Sequence, residues 1–224
     1  MKIIAMTSQK GGVGKTTLAT NLAVAAALAG LKVLIVDADR QKTAIDWFYK
    51  RDNQDNPIVE SAESQVDIER CLADAKNLGI DRVFIDTQGS DSNLASFAMR
   101  VADFVIIPCG AGGFDITAQK TTVDSVKLLQ KPAGFVITKV NKRSSWARDA
   151  RVALMMTEIP VCEHSTTNLK IYLDSAAFYH STVLEMEPSS AAADEIKEIY
   201  KWLEKKLSDS KNILKAIKET NHVS

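Results

Sequence analysis

The sequence predicts an α/β fold, a single doubly wound, mostly parallel sheet with helices on both faces. Three observations carry that prediction. Apolar runs of strand length alternate with segments of helical period, the pattern of parallel strands joined by crossover helices. A glycine-rich turn, Gly11-Gly12-Val13-Gly14, stands directly behind the first apolar run. Acidic residues close the second and third runs, at the strand ends where ligands bind in such sheets.

The elements follow in order. Ile3 to Met6 is the first strand, and an Ala-rich helix from Thr16 to Ala29 follows the turn. Val33 to Val36 is the second strand, then a helix near Thr43 to Lys50, then a polar loop from Asp52 to Pro57. A helix from Ser64 to Leu78 places Ile68, Cys71, Leu72 and Ala75 on one face. Val83 to Ile85 is the third strand. Beyond it lie a helix near Leu94 to Val101, a strand at Phe104 to Ile107, a helix at Ile116 to Leu129, a strand at Ala133 to Thr138, a helix at Trp146 to Thr157 and a short strand near Ile159. Pro188 opens a last helix to about Leu207, after which Ser208-Asp209-Ser210 leads into a short polar tail. The expected division is one domain over 1–207 and a tail or frayed helix over 208–224.

Composition limits the classes of function. With 224 residues, 46% of them hydrophobic, the chain can bury one sizeable core. Lys+Arg and Asp+Glu both number 28, so attraction to nucleic acid or anionic lipid requires a local patch. Three widely spaced cysteines, Cys71, Cys109 and Cys162, indicate neither a disulfide framework nor a zinc cluster and point to a reducing cytoplasm. The longest apolar run, Leu22 to Ala29, is too short to span a bilayer, and no signal peptide is expected. His164, His180 and His222 lack metal-ligand spacing.

The loop Gln9-Lys10-Gly11-Gly12-Val13-Gly14-Lys15-Thr16-Thr17 carries the chemistry of nucleoside triphosphate binding. Its glycines let backbone N–H groups close around phosphate oxygens, and the helix that follows adds its positive end. Lys15 neutralises charge on the β- and γ-phosphates, and Thr16 can ligate Mg²⁺. The strict phosphate-loop pattern requires glycine where Gln9 stands; the sequence instead fits K-G-G-x-G-K-T, with an extra lysine, Lys10, at the start of the loop. Asp37 and Asp39 follow the second strand and Asp86 the third. An Asp behind a strand also serves as a turn or helix cap, but three such acids beside a phosphate loop suit a metal shell and an attacking water.

These motifs, K-G-G-V-G-K-T-T, D-A-D-R-Q and V-F-I-D-T-Q-G, resemble the ParA/MinD family of deviant-Walker P-loop ATPases over nearly the whole chain. Within it the chain is most similar to the short ParA-type ATPases of plasmid partition, and residues 167 to 185 resemble the segment before their last helix. The resemblance implies a Mg²⁺-dependent ATPase, slow without its partner, that closes as a homodimer on ATP, binds DNA nonspecifically and hydrolyses ATP when a centromere-binding or cargo adaptor protein stimulates it. It implies a cytoplasmic protein, nucleoid-associated in the ATP state. It makes Lys10, Lys15 and Asp39 the catalytic residues, Lys10 reaching the phosphates of the partner subunit and Asp39 orienting the attacking water. Lys10, Gly11, Gly12, Val13, Gly14, Lys15, Thr16 and Thr17 would hold ATP, and Asn141 would join them, although Lys139-Val140-Asn141 stands where the family often carries Asn-Arg. Thr16, Asp37 and Asp86 would serve the metal. Two positions depart from the pattern: Arg40 replaces a proline, and Gln88-Gly89 replaces the commoner prolines after Asp86.

Between Lys139 and Arg151 five basic residues against Asp149 make a local charge of +4. Lys142, Arg143, Arg148 and Arg151, joined by Lys170, are the DNA-binding candidates, able to neutralise phosphates without reading bases. A solvated loop and helix face has the same composition. Cys109 reads as a small buried residue rather than a ligand of an iron–sulfur cluster. Ile213, Leu214 and Ile217 among lysines read as a frayed terminal helix rather than a membrane anchor, so stable membrane association is not expected. The same switch could also move a chromosome, a microcompartment or a receptor array. A membrane-associated regulator of the MinD kind and a metabolic enzyme transferring phosphate to a small molecule are the readings from other classes.

Overall fold

The computed structural model describes residues 1–89, 92–141, 145–168 and 170–220, with the backbone alone at 114, 115 and 210–220. Among the described residues seven strands form one sheet in the order β3-β2-β4-β1-β5-β6-β7, every neighbouring pair parallel. They are β1 (Lys2–Met6), β2 (Val33–Ala38), β3 (Ile58–Ser61), β4 (Arg82–Thr87), β5 (Phe104–Gly110), β6 (Ala133–Val140) and β7 (Val161–Thr167). The central strands are apolar without alternation because both faces are covered: all six residues of β2 and all seven of β5 are buried.

One face carries α1 (Lys15–Leu28), α2 (Thr43–Lys50), α8 (Lys170–Ala177), α9 (Val183–Met186) and α10 (Ala191–Thr220). The other carries α3 (Gln65–Asn77), α4 (Asn93–Val101), the short α5 (Gly113–Thr117), α6 (Lys120–Leu128) and α7 (Trp146–Met155). Phe84 and Phe135 are fully buried, one in each layer, and each such side chain contributes about 2–3 kcal/mol by leaving water. Gly134 on β6 admits α10 to the sheet: a Cβ there would stand 2.4 Å from the Trp202 ring.

The prediction of a doubly wound parallel sheet holds, with local differences. The edge strand β3 went unread, as did α8 and α9. The expected helix over Ile116–Leu129 is two pieces, α5 and α6, and the strand expected near Ile159 begins at Val161. α10 runs through Ser208-Asp209-Ser210 to Thr220 without a break.

What positions the site is register. Met6 pairs with Asp86 across β1 and β4, and Asp86 pairs with Asp37 across β4 and β2. The turn after β1 and the acids after β2 and β4 therefore meet at one sheet edge.

Candidate functional site

The turn after β1 is shaped by two left-handed glycines, Gly12 (φ 74°) and Gly14 (φ 87°), a backbone region that side chains resist. Gly14 stands at the N-cap of α1, no side chain caps the helix, and its first turn holds no acid. The free N–H groups and the helix dipole thus face the turn, as anion binding requires. Thr138 Oγ1 donates to Val13 O at 2.7 Å and ties the turn to β6. Lys15 is only 6% exposed, and its Nζ donates to Lys10 O at 3.2 Å. Burial pulls its ammonium below the ordinary lysine value, while Asp86 and Asp39 act the other way. Lys10 itself is exposed.

The carboxylates divide. Asp37 Oδ2 accepts from Ala44 N and Ile45 N, both at 3.0 Å, and Oδ1 accepts from Asp39 N at 3.1 Å. It caps α2, and both of its oxygens hold the chain; the metal role expected of Asp37 would fall to the lone pairs those N–H groups leave. Burial still pushes its carboxyl up, against those N–H groups and Lys42. Asp86 is fully buried, and neither of its oxygens forms a hydrogen bond among the described residues. Burial pushes it up to about 7; the Thr16 hydroxyl lies close enough to act against this without closing a hydrogen bond, Lys15 acts the same way, and Asp37 and Asp39 raise it. A buried carboxylate without a donor, beside a hydroxyl and an ammonium, fits a divalent cation held by Thr16 and Asp86. Asp39 is half-buried, and its Oδ1 accepts from Gln41 N at 3.0 Å.

A cleft of about 550 Å³ joins these parts, lined by Gly11, Gly12, Lys15 and Thr16 on one side and by Asp39, Arg40 and Gln88 on the other. Both departures from the family pattern therefore line it. Gly89 explains one of them: a Cβ there would stand 2.7 Å from the backbone N and Cα of Gly11, so the chain leaving β4 rests directly on the turn. A recess of about 80 Å³ opens beside the cleft, walled by Leu18, Thr166, Thr167, Asn168, Tyr172 and Leu173 among others. Asn141 does not line it and faces a separate cleft with Lys10, Trp146 and Ala147. Sequence reasoning missed the Thr166-Thr167-Asn168 run and Tyr172; the available signal was a polar strand end followed by an aromatic.

The basic candidates scatter. Lys142 and Arg143 lie outside the described residues. Arg148 is exposed, 3.8 Å from Asp149, and Lys170 is exposed, 3.6 Å from Asp174. Arg151 corrects the expectation: its guanidinium turns inward and donates to the carbonyls of Cys162 and of Glu163, the latter at 2.9 Å. It braces α7 on β7, with one donor of Nη1 and one of Nη2 engaged by those carbonyls. The three cysteines are buried thiols. Among the described residues no group of three or more His, Cys, Asp or Glu could hold a metal, and no helix is long and apolar enough to cross a membrane.

Known proteins resemble this chain in sequence and in fold. A family model described as the CobQ/CobB/MinD/ParA nucleotide binding domain matches residues 4–162. A maintenance of carboxysome distribution protein A from Halothiobacillus neapolitanus is 27% identical over 205 residues, 88% of this chain and 93% of that protein. Its namesake from Gloeobacter kilaueensis is 32% identical over 168 residues, 72% of this chain and 74% of that one. Among solved structures, the MinD cell division protein of Aquifex aeolicus superposes with a TM-score of 0.76 at 18% identity, over 91% of this chain and 96% of its own. A putative plasmid partition protein from Borrelia burgdorferi, bound to AMPPNP, does so with a TM-score of 0.69 at 22% identity, over 91% and 99%.

Proposed function

Because this chain belongs to the CobQ/CobB/MinD/ParA nucleotide-binding domain family, we propose that it is an ATP-dependent switch of DNA partition, a Mg²⁺-dependent ATPase whose cargo is a plasmid. The observation that carries the nucleotide reading is the pairing of an uncapped, acid-free helix start with a buried Asp86 on which no hydrogen bond closes among the described residues. An anion and a cation together satisfy both.

In this reading the backbone of Gly11 to Gly14 and the buried Lys15 hold the phosphates, and Thr16 and Asp86 hold Mg²⁺, which supplies neutralising charge on the phosphates when bound. Asp39, half-buried on the cleft, accepts a proton-side hydrogen bond from the attacking water and orients it. The exposed Lys10 reaches the nucleotide of a second subunit across a homodimer face, where it stabilises charge developing in transfer. The closed dimer binds DNA without sequence preference, and an adaptor protein on the cargo stimulates hydrolysis and release.

The likeness to two carboxysome distribution proteins, over 88% and 72% of this chain, favours a second cargo, a bacterial microcompartment moved by the same switch. The neighbouring gene separates the two: a small centromere-binding protein means plasmid or chromosome, shell proteins mean microcompartment.

The switch itself is tested by gel shift on unrelated DNA with ATP and with ADP, beside light scattering. Parent protein should dimerise and shift DNA with ATP alone. Lys10→Ala should bind ATP and hydrolyse it poorly, and Asp39→Ala should accumulate as a DNA-bound dimer with intact ATP. DNA bound equally well with ADP would overturn the switch, and ATP-dependent binding to liposomes without DNA binding would favour the membrane regulator.

A further inference from the structure

Lys139, where β6 leaves the sheet edge, has a left-handed backbone (φ 56°) that residues other than glycine, Asn and Asp seldom adopt. The bend is held from both sides, by Thr138 Oγ1 on Val13 O and by the Lys139 N–H donated to Thr166 Oγ1 at 3.3 Å. It sends the side chain back over the glycine-rich turn. Nζ donates to Gly12 O at 2.5 Å, and Cε passes 3.9 Å from the place of a Cβ on Gly14. Among the described residues this ammonium has that carbonyl and no carboxylate as its partner.

Its position is as informative as its partner. Lys139 lines both the 550 Å³ cleft and the 80 Å³ recess, and the two share only Gly14 and Thr17 besides. A molecule with a phosphate chain in the cleft and a base in the recess must pass this side chain. An exposed ammonium on a neutral carbonyl has a charge on one partner only, whereas on a phosphate oxygen both partners are charged and their Coulomb attraction adds to the hydrogen bond.

We propose that Lys139 is a movable strap: its ammonium leaves the Gly12 carbonyl and takes a phosphate oxygen common to ADP and ATP, closing over the nucleotide between the cleft and the recess. The inference rests on the nucleotide reading above. The exchange also frees the Gly12 carbonyl, so the exposed turn loses one of its ties whenever nucleotide binds, the Lys15 bond to Lys10 O being another. A lysine here thus reports occupancy to the outer edge of the loop.

Calorimetric titration of ATP and ADP into parent, Lys139→Asn and Lys139→Arg, at low and high salt, tests it. Asn suits the left-handed backbone, so the first variant removes charge without new strain, and a melting curve without nucleotide verifies its fold. Expected is about tenfold weaker binding of both nucleotides to Lys139→Asn, a shallower dependence on salt, and restoration by Lys139→Arg. Binding equal to the parent at both salt concentrations would make Lys139 a loop tether only. Tighter binding would make it a blocking latch; either result overturns the strap. Parent protein that bound neither nucleotide would overturn the nucleotide reading as well, which separates the two failures.

Discussion

Asp37 and Asp86 are register partners on adjacent strands, each fully buried at the same sheet edge, yet their surroundings are opposite. Three backbone N–H groups converge on Asp37, two of them from the first turn of α2. No backbone N–H bonds Asp86 among the described residues, and the Thr16 hydroxyl beside it closes no hydrogen bond. The difference comes from the chain that follows each strand. After β2 the helix starts within eight residues and turns its N-terminus onto the acid, whereas the segment after β4 turns toward the phosphate loop through Gly89. A carboxylate whose oxygens are taken fixes the fold. One left without donors stores unfavourable energy that a cation can relieve.

The largest test of that contrast uses pH. Asp86 titrates near 7 in the fold against an ordinary 3.8, so between those values the folded state holds the proton more tightly than the unfolded one. Its contribution to stability is full below about pH 4, falls as pH rises, and is gone above about pH 7. The loss amounts to at most about 4 kcal/mol. Urea unfolding of nucleotide-free protein from pH 4 to 8 should therefore show a decline that Asp86→Asn flattens, with the variant the more stable at pH 8. A variant less stable than the parent there would place Asp86 with Asp37 as a structural group.

Next in size, Lys15→Ala removes the ammonium that the same cleft holds buried and should weaken ATP binding by about 3 kcal/mol, roughly a hundredfold, as read by calorimetry. Asp37→Asn should show the reverse of the Asp86 result: replacing an acceptor of three N–H groups by an amide should destabilise the protein by about 2 kcal/mol at neutral pH whether or not Mg²⁺ is added, measured by denaturant midpoint. Smallest is Gly89→Ala, whose Cβ meets the backbone of Gly11. The turn must move back by about 0.7 Å to bring that 2.7 Å approach to ordinary contact, and ATP affinity should fall several-fold, about 1 kcal/mol.

The β-α alternation was legible because parallel strands buried on both faces are unbroken apolar runs, as in β2 and β5. β3 was not, since only Val59 of its four residues is buried at the sheet's edge. The strand expected near Ile159 is β7, but its polar run Glu-His-Ser-Thr-Thr was not legible as strand, since Thr167 is satisfied by Glu195 of α10, 28 residues on, a contact no local pattern announces. The glycine-rich turn between β1 and α1 was legible, being a local motif. Asp37 and Asp86 were not distinguishable, since each follows an apolar strand and only the three-dimensional path of the next segment separates them. Arg151 counted as free charge in the sequence, and its inward turn onto β7 depends on the packing of α7.

α1 is buried on nearly every side from Leu18 to Ala26, and Asn21 within it accepts from Val183 N at 3.2 Å while donating to Thr17 O at 2.8 Å. A helix so enclosed has no room to slide or tilt without opening the core on one side or compressing it on the other. It is the anvil of the molecule. Whatever distinguishes one nucleotide state from another must be registered by parts that can yield: the chain after β2 that carries Asp39 and Arg40, the chain after β4 that carries Gln88 and Gly89, and the side chain of Lys139. In the proposed switch, motion would thereby be confined to the sheet edge, and the signal would leave the protein as a change of surface there while the body beneath keeps its shape.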